Sequence, residues 1–239
     1  MFLITSKFEY CVKDENCTRI PCKIPDENGI LTLIKRHITR YQRLLIIAND
    51  PSDYTDNDNV AQVLGQAFVM TNQKFDEIKV LDNRTRDQAA TLIQNADLIF
   101  MRGGEILRQL EFLQQIYFHE LIKNYSGIVI TVSAASMCLT PIICNFPEHE
   151  KELAQPRFIK GLGIVDLILI PHFDGKTLTY QGHTDFPNLV QDYILPYSDK
   201  HLIYALPNGS YIRYDGINLK FFGPYYKLIQ RNVVALNIC

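Results

Sequence analysis

Short apolar runs alternate along the chain with stretches whose apolar positions recur at helical spacing. Residues 2–5 read as a first buried strand, and Ile30, Leu31, Leu33, Ile34 and Ile38 follow at helical spacing after Asp26, the predicted cap. Residues 44–48 form the next apolar run, which ends in the loop-forming Asn49-Asp50-Pro51-Ser52-Asp53. A helix is expected over 57–71, with Val60, Val63, Leu64, Ala67 and Phe68 on one face. A strand over 77–81, a helix over 86–94 and a strand over 97–101 come next. Arg102-Gly103-Gly104-Glu105 then leads into a helix carrying Ile106, Leu107, Leu110 and Leu113. This alternation predicts an α/β fold with a mostly parallel central sheet flanked by helices on both faces. The 239 residues show no internal repeat or linker, so a single domain over 1–239 is expected.

The second half centres on residues 127–136. Five of the six residues from Gly127 to Val132 are β-branched, which suits a buried parallel strand. At Ser133 the composition turns to small residues, Ala134-Ala135-Ser136. A strand running directly into a helix with serine at the bend is the pattern of a nucleophile elbow, although a serine that merely caps a helix has the same pattern. Residues 144–160 are polar and read as a surface excursion. A strand over 165–170, expected in the central sheet, stops at Pro171-His172-Phe173, and 185–195 is a candidate helix. Runs at 201–206, 210–214 and 219–222, separated by Asn208-Gly209 and Asp215-Gly216, predict a β-rich meander on the sheet edge. Residues 6–26 fit either a loop or a hairpin.

Charge and composition narrow the function. The net charge is -2 with no long basic run, which gives nucleic-acid binding no electrostatic support. No apolar run has membrane-spanning length, and the opening residues lack the apolar core of a leader, so a cytoplasmic location is expected. The six cysteines form no C-x-x-C pair and read as reduced thiols. No metal and no cofactor are expected.

A serine nucleophile needs a base and donors for the developing oxyanion. Of the six histidines, His172 stands out because it ends an apolar strand beside a proline, on the sheet edge that would also carry Ser133. A histidine that simply ends a strand has the same pattern. His183 is a weaker candidate. The backbone N–H of Ala134, following the serine, is one oxyanion donor, and the Gly103-Gly104 turn, through Gly104, could supply a second.

Four motifs in order, Arg102-Gly103-Gly104-Glu105-Ile106, Thr131-Val132-Ser133-Ala134-Ala135-Ser136, Pro171-His172-Phe173 and Ala205-Leu206-Pro207-Asn208-Gly209, resemble those of the peptidase E (aspartyl dipeptidase) family. The resemblance implies the flavodoxin-like fold of the class I glutamine amidotransferases, with Ser133 as nucleophile and His172 as general base. For the third member it points to Glu148 or to the position of Asn208. Glu148 is preferred, because an asparagine cannot carry the charge that stabilises an imidazolium. Three departures stand out: Ala135 replaces a family glycine and crowds the elbow, Glu105 brings a carboxylate beside the oxyanion site, and no arginine occurs between Arg157 and Arg213 to grip an acidic substrate. The expected function is a serine hydrolase of small peptides not directed at N-terminal aspartate. The alternative is an inactive or repurposed member that binds a small ligand in the same crevice. The sequence marks no oligomer interface.

Overall fold

The computed structural model describes residues 1–145, 158–178 and 189–236. In chain order, β1 (Phe2–Thr5) leads to a hairpin of β2 (Cys11–Lys13) and β3 (Arg19–Pro21), then to α1 (Ile30–His37). Next come β4 (Arg43–Ile47), α2 (Tyr54–Met70), β5 (Glu77–Leu81), α3 (Ala89–Asn95) and β6 (Leu98–Met101). They are followed by α4 (Ile106–Gln115), α5 (Phe118–Leu121), β7 (Ile128–Val132) and α6 (Ala134–Cys138). The later strands are β8 (Ile142–Cys144), β9 (Phe158–Lys160), β10 (Ile168–Pro171), β11 (Ile203–Leu206) and β12 (Tyr211–Tyr214). The last three are β13 (Leu219–Phe222), β14 (Tyr225–Ile229) and β15 (Asn232–Leu236).

The central sheet has seven strands in the order β13-β12-β1-β7-β6-β4-β5. Strands β1, β7, β6, β4 and β5 are mutually parallel, while β12 and β13 add antiparallel at one edge. Successive strand residues face opposite ways. Leu3, Leu44, Ile46, Leu98, Phe100, Ile128 and Ile130 therefore bury against α1 and α2. Ile4, Leu45, Ile47, Ile99, Met101 and Val129 bury on the other face with α3, α4 and α6. Both faces are covered, which is why these strands read as nearly continuous apolar runs.

The expected strand at 165–170 differs in start and in sheet. It begins at Ile168 and belongs to a second, four-stranded sheet in the order β10-β11-β14-β15. Two causes are visible. The amides of Leu162, Ile164 and Val165 donate to the carbonyls of Cys138 and Leu139, which ties that stretch to the end of α6. Beside β1, the edge that β10 would need is taken by β12. The meander divides accordingly, with β11 parallel to β10 in the second sheet and β12 and β13 on the central one. Residues 6–26 include the β2–β3 hairpin, whose strands pack on α2. Parts of the polar excursion and of the candidate helix over 185–195 lie outside the described residues; a helical turn spans Val190–Ile194. Among the described residues no helix is long and apolar enough to cross a membrane.

Candidate active site

The carboxyl end of β7 turns abruptly at Ser133, whose backbone has φ 51 and ψ -114. A non-glycine residue here costs on the order of 1–3 kcal/mol and persists only where its surroundings hold it. They do so through hydrogen bonds and close packing. The Ser133 N–H donates to the Thr5 carbonyl at 3.0 Å, continuing the β1–β7 ladder into the bend. Below it, the Thr5 hydroxyl donates to the Thr131 carbonyl at 2.7 Å. The Ser136 hydroxyl donates to the Thr5 carbonyl at 2.8 Å and lies 2.9 Å from the Thr131 hydroxyl. On the neighbouring strand end, a Cβ on Gly103 would lie 2.8 Å from the Val132 carbonyl oxygen and 3.0 Å from the Ser133 Cβ. Glycine at 103 is what lets the two turns touch. Ala135 is fully buried on the core side of α6, where its methyl packs with the apolar residues beneath the elbow.

Ser133 faces a histidine delivered by the second sheet. His172 follows Pro171 at the end of β10 and has φ 60. Its Nε2 lies 2.9 Å from the Ser133 Oγ. Its Nδ1 lies 2.8 Å from the Oδ1 of Asn208, which follows β11, the parallel neighbour of β10. Two adjacent strand ends thus present the histidine and its partner together. Glu148, the acid expected to orient the histidine, lies outside the described residues, as does His183. Within the described residues it is Asn208 that meets the Nδ1 side. A further contact was not legible in the sequence: the buried Ser6, just after β1, accepts from the His172 backbone N–H at 2.6 Å and donates to Asn208 Oδ1 at 3.3 Å. Burial lowers the His172 pKa below the ordinary histidine value, the Asn208 hydrogen bond raises it, and the nearby Lys7 ammonium lowers it further.

The glycine turn is held from α4 and from the loop after β4. Asn49, buried, accepts from the Glu105 N–H at 2.9 Å and donates to the Glu105 carbonyl at 3.0 Å. Gln109, fully buried on α4, donates to the Arg102 carbonyl at 2.7 Å. The Glu105 carboxylate turns onto its own helix, accepting from the N–H groups of Leu107 and Arg108 at 2.9 Å each. It acts as an N-cap, where its charge suits the helix end. Arg102, at the end of β6, pairs with Asp56, which also pairs with Arg19 of the hairpin, so this cation is already engaged. The Cys138 thiol, pushed up to about 12 by burial, is an inert core group.

The class of protein defined by this fold and site is an α/β protein with a serine held at a strand–helix elbow against a histidine. The model of peptidase family S51 matches residues 28–221, and the chain belongs to this family of serine peptidases, the peptidase E family. A solved structure of a candidate peptidase E protein from Listeria monocytogenes EGD-e is similar to it, with a TM-score of 0.55 and 15% identity over 100% of this chain and 98% of that one. At that identity the likeness concerns the fold. No curated protein sequence matches the chain.

Proposed function

We propose that the protein is a serine hydrolase of small peptides, with Ser133 as nucleophile, His172 as general base and Asn208 as the partner of the histidine. The observation that carries this reading is the 2.9 Å contact between Ser133 Oγ and His172 Nε2 at a strained elbow. As Oγ attacks the peptide carbonyl carbon, its proton passes to Nε2. The N–H groups of Ala134 and Gly104 hold the oxyanion. His172 then gives the proton to the leaving amine, and a water deprotonated by the same nitrogen releases the acyl group. Neither proposed oxyanion donor has a backbone partner among the described residues, which leaves both available to substrate.

No arginine stands between Arg157 and Arg213 to grip an acidic substrate end, which supports a preference other than N-terminal aspartate. A second reading, a ligand-binding member with little turnover, is favoured by one observation: Asn208 offers His172 a neutral acceptor where a carboxylate would stabilise the imidazolium. Mass-spectrometric turnover of a dipeptide and tripeptide panel separates the two readings. The hydrolase reading expects slow cleavage that vanishes in Ser133→Ala, with no advantage for Asp-X dipeptides. Equal loss of the panel with and without Ser133 would defeat it.

A further inference from the structure

An asparagine beside a catalytic histidine poses a problem that a carboxylate does not. A carboxylate can only accept, so it fixes the proton on Nδ1; an amide has an acceptor end and a donor end of nearly the same shape. With Oδ1 toward the ring, His172 carries its proton on Nδ1 and turns a lone pair at Nε2 toward Ser133. With the amide reversed, the proton sits on Nε2 and Ser133 faces no base. Some other group must choose between these states.

We propose that Ser6 is the positioning residue that makes this choice, by fixing the Asn208 amide and, through it, the tautomer of His172. The inference rests on the reading of Ser133, His172 and Asn208 given above. Ser6 is fully buried, and its hydroxyl already accepts the His172 backbone N–H at 2.6 Å. Its single hydrogen has one acceptor among the described residues, Asn208 Oδ1 at 3.3 Å. Reversing the amide would set a second donor against the same oxygen and leave the buried hydroxyl hydrogen unpaired, a state that is costly in a buried site. Oδ1 has two lone pairs, so it takes the Ser6 hydrogen and the Nδ1 hydrogen together. Asn208 is exposed, and its amide nitrogen can turn to solvent. Ser6 thus works on the histidine from two sides: it anchors the backbone that carries the ring and it selects the ring's proton position.

The test is the position of the ring proton, read from the nitrogen-15 shifts and long-range proton–nitrogen couplings of His172 in the full-length protein at a pH where the ring is neutral. The wild type should show the Nδ1–H tautomer; an Nε2–H tautomer there overturns the proposal without any variant. Ser6→Ala should move population toward Nε2–H and slow fluorophosphonate labelling of Ser133 by about fivefold to tenfold, the worth of one neutral hydrogen bond. Ser6→Thr, which keeps the hydroxyl, should restore both. In an Asn208→Asp background, Ser6→Ala should leave the tautomer on Nδ1, because the carboxylate cannot donate. If Ser6→Ala leaves the tautomer unchanged, or shifts it equally in the Asn208→Asp background, Ser6 is only a backbone anchor. The tautomer is read without substrate, so Ser6 control of an Nδ1–H ring in a protein that cleaves no peptide upholds this inference and defeats the peptidase reading.

Discussion

Asn208 accepts a hydrogen bond from His172 without bringing a charge, and burial already disfavours the imidazolium. Burial keeps the ring neutral and ready to take a proton, whereas the Asn208 hydrogen bond favours the imidazolium only as far as a neutral acceptor can. The rising limb of the pH–rate profile for kcat/KM should have its midpoint below the ordinary histidine value, since the free enzyme's His172 is the group that must lose a proton. Asn208→Asp should raise kcat and move that limb to higher pH, because a carboxylate at the same place favours the protonated ring. A limb that stays put in Asn208→Asp would mean that residue 208 does not act on the titrating group. Ser133 and His172 were legible because each follows an apolar strand at its carboxyl end, where ligands collect, although the single sheet edge expected to carry both is two strand ends from different sheets. Asn208 sat in a recognisable turn, but its lack of charge argued against it. Ser6 was not legible, since its partners lie 166 and 202 residues away and nothing local marks that meeting.

Among the elements, the two turns at the ends of β6 and β7 behave as one unit. Gly103 has no room for a side chain, because the atoms a Cβ would meet are the backbone oxygen of Val132 and the Cβ of Ser133, neither of which is a flexible tip. Gly103→Ala should therefore displace Ser133 and lower kcat by about 10²-fold, the penalty expected for a small misplacement of reacting groups, while the melting temperature moves little. Asn49→Ala should loosen the turn through the lost Glu105 contacts and lower kcat by about 10²–10³-fold if an oxyanion donor is lost. Steady-state kinetics beside thermal melts would separate these effects from unfolding. Helical spacing and apolar runs placed most of the helices and all five parallel strands of the central sheet. The side-chain clasp from Asn49 does not show in the sequence, where composition alone marks the loop.

Across the molecule, the site lies where two sheets meet: the central sheet supplies Ser133 and the glycine turn, and the second sheet supplies His172 and Asn208. Fold class was legible because alternation is a local pattern. The split into two sheets was not, because an apolar run such as 165–170 specifies a strand and leaves its partner open. Partner choice came from long-range contacts, namely the tether of residues 162–165 to α6 and the occupied edge beside β1. Phe173, fully buried next to His172 and edge-on to Tyr226 at 5.1 Å between ring centroids, secures the second sheet behind the histidine. Phe173→Ala should cost about 3–5 kcal/mol and lower activity together with stability, measurable by chemical denaturation. Retained stability would show that the second sheet is held by other contacts.

If Ser133 is a nucleophile made reactive by His172, it should react with a serine-directed electrophile and depend on that ring to do so. Reaction of the full-length protein with a fluorophosphonate, followed by intact mass and peptide mapping, tests that claim directly. The expected result is one adduct per chain, located on Ser133, absent in Ser133→Ala and strongly slowed in His172→Ala. An unmodified wild-type protein, an adduct on another residue, or labelling that His172→Ala leaves at full rate would contradict it.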